Sequence, residues 1–408
     1  MFQKVVFRIQ LTIFSLAFLS ISYAQEIAQK TTIDWSGFVN VDYIFDTRQT
    51  ISGREGGFLF FPAPVLLDID GQDINATPSF NILAIRTRLK ASISGPDFFH
   101  FKTSAVIEGD FSGQSNEDIN GVRLRHAWLK LSGKKIDLLL GQNWHPMFVT
   151  ACFPETYSFN TGVPFQPISR NPQFRISTKG KWKAVGVFYT QRDFASRGPG
   201  GTSSDYLRHS ALPGMHGQLQ YESEQLTFGL GTDFKVLKPG LIDGKGNKSD
   251  EMIPSLAFLS WMKIELPIAT FKAKAIWGEN LSDLLMIGSI AEMDAESGFC
   301  NSTTLSFWSE LSGEKGWAEW GLFGGYSKNL GPDHSTTGPV YGLGTDIQYL
   351  YRIAPRFGLK SGKTTIGLEV EYTTAQYGAI NKYALNPLDL NINPVSNTRF
   401  LMYVMYKF

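Results

Sequence analysis

Seven cations stand out as the residues able to do chemistry: Arg86 and Arg88, Arg123 and Arg125, Arg175, Arg192 and Lys102. A guanidinium stays charged at any physiological pH. It presents its donors in a flat fork, so a group of them recognises carboxylates and other oxyanions. Arg86 and Arg88 are two residues apart, as are Arg123 and Arg125, and two is the period at which residues of one strand share a face. Neighbouring strands lie about 4.8 Å apart, so adjacent strands would stack these side chains into a ladder on one wall. Glu108, Asp110 and Glu155 are the expected counter-charges.

The elements that must hold this ladder are strands. Sixteen segments read as strands, and no helical period persists. They are 33–48, 80–94, 99–111, 122–132, 135–142, 172–179, 182–192, 215–222, 225–235, 255–265, 268–281, 303–312, 317–328, 342–354, 363–377 and 398–408. Their two faces differ. Trp35, Val39, Val41, Tyr43 and Phe45 oppose Asn40, Asp42 and Asp46; Phe101, Ala105 and Ile107 oppose Lys102, Glu108 and Asp110. Leu83, Ile85 and Leu89 are expected to oppose Arg86 and Arg88, whereas His126 falls on the apolar side of an otherwise regular strand. Charge on so many strands cannot enter a dry core, so one face must be wet and the other must meet lipid.

The connections agree. Seven short ones, among them Gly133-Lys134, Gly180-Lys181 and the segment Pro355 to Gly362, alternate with eight long ones. Alternation of this kind, with an even strand number, describes an all-β transmembrane antiparallel barrel with short periplasmic turns and long external loops. The last strand, Thr398 to Phe408, puts Phe400, Met402, Val404, Tyr406 and Phe408 on one apolar face. At the other end, Lys4 and Arg8 precede an apolar run, and Ser22-Tyr23-Ala24 offers small residues for cleavage. Residues 1–24 therefore read as a signal peptide and 25–408 as the barrel, in the outer membrane of a Gram-negative bacterium.

The loop 143–171 is rich in aromatic residues and proline, including Trp144, Phe148, Phe153, Tyr157, Phe159 and Phe165. A loop so apolar would not stand free in water. It is expected to enter the barrel and narrow it, with Glu155, its one acid, facing the arginine wall; packing over the mouth or between subunits is the alternative. The arginines are expected opposite it. The competing reading is that each only neutralises Glu108, Asp110 or Asp42 across the lumen. Cys152 and Cys300, both placed in loops, leave a disulfide open.

Several motifs together are familiar: Gly37-Phe-Val-Asn-Val-Asp-Tyr43, Arg123-Leu-Arg-His-Ala-Trp128, Leu140-Gly-Gln-Asn-Trp-His-Pro146 and Asn171-Pro-Gln-Phe-Arg-Ile176. From about Ile33 to Phe408 the chain resembles the DcaP-like porins, in a version typical of Bacteroidetes. The resemblance implies a trimeric porin preferring small anionic solutes such as dicarboxylates. It departs from that pattern at the start, where only Gln25 to Thr32 precede the first strand and no N-terminal helical extension is present.

Other classes fit less well. Lys and Arg total 38 against 37 Asp and Glu, and a net charge of +1 argues against a nucleic-acid partner. His100, His126, His145, His209, His216 and His334 form no nucleophile-elbow, HExxH or metal-ligand pattern, so no enzyme, metal or cofactor is expected. An adhesin using the barrel as an anchor is the alternative; it would be free to fill its lumen. A fatty-acid transporter would need a plug before the first strand.

Overall fold

The computed structural model describes residues 30–243, 245–293, 298–336, 338–378 and 393–408. The expected signal peptide lies outside the described residues. The chain forms a closed barrel of sixteen antiparallel strands. They are β1 (Thr32–Asp46), β2 (Ser79–Leu83 continued by Arg88–Ser94), β3 (Lys102–Asp110), β4 (Arg123–Ser132), β5 (Ile136–Trp144), β6 (Arg170–Thr178), β7 (Trp182–Tyr189) and β8 (Gly214–Glu222). The second half comprises β9 (Leu226–Leu237), β10 (Ile253–Glu265), β11 (Thr270–Glu279), β12 (Phe299–Lys315), β13 (Ala318–Pro332), β14 (Ile347–Ser361), β15 (Thr364–Tyr377) and β16 (Val395–Lys407). Each strand pairs with its neighbours in sequence. β1 then pairs with β16 from Phe38↔Lys407 to Asp46↔Arg399, so no edge is left open.

An ion pair marks that seam. Arg399 Nε and Nη2 grip the two oxygens of Asp46 at 3.0 and 2.8 Å, inside the wall. The other face of the same strands is apolar and exposed: Trp35, Val39 and Phe45 on β1, Phe400, Met402 and Tyr406 on β16, with Phe408 just beyond. Period-two alternation thus separates a polar interior from a lipid-facing exterior. Among the described residues no helix is long and apolar enough to cross a membrane.

Eight long connections (L1–L8: 47–78, 111–122, 145–169, 190–213, 238–252, 280–298, 333–346 and 378–394) alternate with seven short ones. Several expected boundaries move. Pro355 lies within β14, paired to Leu322 of β13, and the turn falls at 362–363. On the side facing β15 the ladder skips from Ile353 to Arg356, because proline has no N–H to donate there. Cys300 lies within β12 rather than in a loop, and both cysteines are free and buried, so no disulfide forms.

Two breaks of alternation lie beside the arginines. Between Leu83 and Arg88 of β2 four residues face three on β1, and Thr87 N–H bonds back to the Ala84 carbonyl. This bulge turns Leu83 and Ile85 inward, against the expected apolar face, and keeps Arg86 inside. In β4 the register to β3 shifts between Glu108 and Gly109, so that Arg125 and His126 both point into the barrel. That shift explains why His126 sits on the wrong side of a simple period.

Candidate functional site

L3 does not cap the barrel; it crosses it. It leaves β5 at Trp144, where His145 and Pro146 start a single 3-10 turn, and its side chains Met147, Cys152, Val163 and Phe165 are wholly buried. Its far end rests on β10 to β15. Cys152 Sγ approaches the Met262 carbonyl at 3.2 Å, and burial pushes its thiol pKa up. Trp308 Nε1 donates to Gln166 at 2.8 Å. Tyr157 stacks on Tyr403 with centroids 4.8 Å apart, and its hydroxyl meets Glu319.

A buried loop must have its peptide groups satisfied. Here the wall charges do so. Lys274 Nζ donates to the carbonyls of Met147 and Phe148 (3.1 and 2.8 Å), and Arg352 Nη1 to that of Val163 (2.8 Å). In the other sense Glu310 accepts from Glu155 N–H at 3.0 Å, and Glu369 from Tyr157 N–H at 2.6 Å. Wall glycines make room. A Cβ on Gly325 would lie 2.5 Å from the Phe165 ring, and one on Gly367 2.3 Å from that of Tyr157. L1 folds inward too: its hairpin (Thr50–Gly53 with Phe58–Pro62) packs Phe58 on Phe159 at 4.4 Å.

The sequence-selected arginines gather on the β2–β6 wall, with the carboxylates beside them rather than opposite. Arg123 makes a two-pronged contact to Asp110 (3.0 and 2.8 Å). Arg125 bonds Glu108 at 2.7 Å and Asp110 at 2.8 Å. Arg88 is looser, 3.5 Å from Glu108 and with its guanidinium over the Phe38 ring at 4.9 Å. Arg86 lies 3.6 Å from Asp42 and donates to the Tyr157 carbonyl at 2.6 Å, so L3 touches the arginine wall as well as the far one. Arg175 bonds Gln173 Oε1 (3.0 Å) and the Trp144 carbonyl (2.9 Å), and no carboxylate lies within ion-pair distance of it among the described residues.

Three selected residues sit elsewhere. Lys102 pairs with Asp97 at 2.7 Å at the short-turn rim, because β3 begins there and its side chain is largely exposed. Arg192 is exposed in L4, since β7 ends at Tyr189. Glu155 faces away from the arginines and pairs with Lys272 of β11 at 3.0 Å, because L3 has already crossed the lumen when it reaches that residue.

Other members of the cluster were not singled out in sequence. Arg170, the first residue of β6, holds Asp193 of L4 at 2.6 Å and lies over Trp144 at 5.0 Å. Burial works against the ionised form of Asp193; Arg170 and Arg123 outweigh it and hold its carboxyl below the usual range. Arg54, at the L1 hairpin tip, is buried without a partner for Nε or Nη2 among the described residues, and burial with Arg123 nearby lowers its pKa. Its neighbour Glu55 also has positive φ, at 51°. Both lie in a tight turn that no alternation pattern marks. The wall thus carries Arg54, Arg86, Arg88, Arg123, Arg125, Arg170 and Arg175 against four inward carboxylates, Asp42, Glu108, Asp110 and Asp193.

No protein-family model matches the chain, and no curated protein is detectably similar to it. Solved structures match its fold. The outer membrane channel DcaP of Acinetobacter baumannii superposes with a TM-score of 0.72 at 15% identity, covering 95% of this chain and 99% of that one. OmpT of Vibrio cholerae gives a TM-score of 0.57 at 10% identity, over 95% of this chain and 100% of that chain. An anion-selective porin from Comamonas acidovorans gives 0.56 at 11%, over 93% and 100%. At these identities the likeness is one of fold: the chain has the sixteen-stranded barrel that these proteins share.

Proposed function

We propose that this chain is an outer-membrane porin of a Gram-negative bacterium, through which small hydrophilic solutes diffuse passively, with anions favoured. The observation that carries the reading is the contact between L3 and a wall where guanidiniums outnumber carboxylates. A solute passing that crossing loses part of its hydration, and fixed positive charge offsets the cost for an anion and adds to it for a cation. The apolar outer wall suits a homotrimer in lipid, as in the trimer form solved for Vibrio cholerae OmpT. Reversal potential of the purified protein in a planar bilayer under a potassium chloride gradient tests the selectivity. An anion-selective sign is expected, weakened at high salt because the Debye length shrinks below about 10 Å above 0.1 M. A cation-selective sign would remove the anion preference. Absence of any current would favour the anchor reading, in which L1 and L3 fill the lumen.

A further inference from the structure

An outward cavity of about 310 Å³ opens at the external ends of β9 to β12, beside L5 and L7. The strand pairing explains its level. Thr232, Phe258, Trp277 and Leu305 form one outward row across the four strands. Phe258, Trp277 and Leu305 are exposed in it, and the first two rings lie 5.9 Å apart. Tryptophan favours the boundary between hydrocarbon and headgroups, so this row marks the surface of the lipid. Two residues further along each strand, Phe234, Leu256 and Glu279 line the cavity. Met252 and Phe299 add apolar wall, and Asp333 of L7 adds a second carboxylate. No lysine or arginine lines it among the described residues.

We propose that this cavity binds an amphiphile of the surrounding leaflet that carries an ammonium head and a hydrocarbon tail. Glu279 is held in place to receive the head. Its Oε2 accepts from the Leu256 N–H at 2.9 Å and from Asn301 Nδ2 at 3.3 Å. Asn301 is buried and fixed in turn, since its Nδ2 donates to the Pro254 carbonyl at 2.6 Å and its Oδ1 accepts from Ser255 Oγ at 3.0 Å. The other carboxylate oxygen of Glu279, Oε1, has no protein partner among the described residues, and no cation there lies within ion-pair distance of it. A carboxylate half removed from water beside phenylalanine and leucine needs a positive partner. An ammonium supplies the charge and donors for Oε1 together. Its tail would follow Leu256 onto the exposed row of Phe258, Trp277 and Leu305, at the level of the lipid chains. An anionic head would meet Glu279 and Asp333 with the wrong sign. A small cation alone would leave Phe234, Met252 and Phe299 without an apolar partner. The inference needs the barrel in a membrane and does not depend on the solute path inside it.

The test uses the full-length mature protein in a nonionic detergent, with dodecylammonium chloride as the probe. Native mass spectrometry counts the probe molecules that each chain retains. One dodecylammonium per chain is expected, at concentrations where dodecyl sulfate is not retained. Glu279→Gln keeps the size of the side chain and removes its charge. It should raise the half-saturating concentration about tenfold, the change that about 1.4 kcal/mol of binding makes. Leu256→Trp should weaken binding too, by filling the apolar part while Glu279 keeps its charge. Heat-modifiable mobility on gels verifies that each variant has a closed barrel. Equal retention by Glu279→Gln and wild type, or equal retention of dodecyl sulfate and dodecylammonium, would overturn the site. Retention of dodecyl sulfate only when calcium is added would overturn it as well, because Glu279 would then hold a metal bridge to an anionic lipid. So would a wild type that retains no probe, the result expected if a neighbouring copy covers the cavity. Conductance separates this proposal from the channel reading: a wild type without current that still retains dodecylammonium would overturn the channel and leave the site standing.

Discussion

Replacing Gly325 by alanine should unseat L3 from the far wall. The added Cβ would meet Phe165 Cγ at 2.5 Å and Phe165 Cβ at 3.0 Å. Ordinary carbon contacts are about 3.5–4.0 Å, so the base of the Phe165 side chain must retreat by about 1 Å. Because the clash reaches Cβ, rotating the ring cannot relieve it; the backbone of L3 must move. Phe165 is fully buried, and its carbonyl accepts from Ser306 Oγ at 3.2 Å while Arg352 holds the Val163 carbonyl at 2.8 Å, so the same shift weakens both bonds. Overpacking costs about 1–3 kcal/mol, and a weakened charged bond adds about 1.5–3 kcal/mol. The urea midpoint of the barrel in detergent should drop correspondingly, and single-channel conductance should rise as the crossing widens. Phe165→Ala in the Gly325→Ala background should recover part of the midpoint, because the ring clash is gone while the contact to Cβ at 3.0 Å remains. If Gly325→Ala folds with unchanged midpoint and conductance, L3 does not rest on Gly325 and the crossing described above is wrong.

Three further outcomes follow from the site. Arg123→Gln removes the two-pronged grip on Asp110 while Arg125 still holds that carboxylate at 2.8 Å, so it should cost about 1.5–3 kcal/mol in urea unfolding, more than Arg88→Gln, whose contact to Glu108 is 3.5 Å. Cys152 and Cys300 should remain reduced by mass spectrometry of non-reduced protein, and Cys152 should react with maleimide only on unfolding; a bridged peptide would contradict the fold. Burial, against the opposing pull of Asp233, lowers the His145 pKa to about 4, so between 6.5 and 4 the unfolded chain binds a proton that the folded one refuses. Stability should therefore be complete above pH 6.5 and fall on acidification, by about 2 kcal/mol at pH 5, and His145→Asn should lose less over that window.

The barrel was legible because lipid and water impose opposite demands on alternate residues. Trp35, Val39 and Phe45 read outward and Asp42 and Asp46 inward in sequence as they stand in the fold. The alternation of loop lengths gave the strand number for a similar reason, since only one rim needs tight turns. What escaped was set by contacts remote in sequence. The bulge that turns Leu83 inward brings Arg86 to the Tyr157 carbonyl, 71 residues away, and no local pattern announces it. The inward course of L3 was legible in its aromatics, whereas its seats were not, because a glycine in a strand looks the same whether it faces lipid or Phe165. Asp193 was missed because it lies in a loop, where period two has no meaning.

A charge on the inner face of a barrel strand invites the reading that it faces the solute. Here much of that charge faces protein. Lys274 has no carboxylate within ion-pair distance among the described residues, yet it is not free, since two L3 carbonyls accept hydrogen bonds from its Nζ. Glu369 and Glu310 spend oxygens on L3 amides, and Arg352 on carbonyls of both L3 and the L1 hairpin. Inserting a loop into a barrel removes its backbone from water, and an apolar wall would leave each peptide group at a cost of about 1–3 kcal/mol. Charged wall residues therefore act first as the loop's solvent. The groups left to act on a solute are those that neither loop backbone nor neighbouring carboxylate has claimed. Arg175 meets that criterion only in part: no carboxylate among the described residues cancels its charge, whereas the Trp144 carbonyl and Gln173 Oε1 each hold one of its donors.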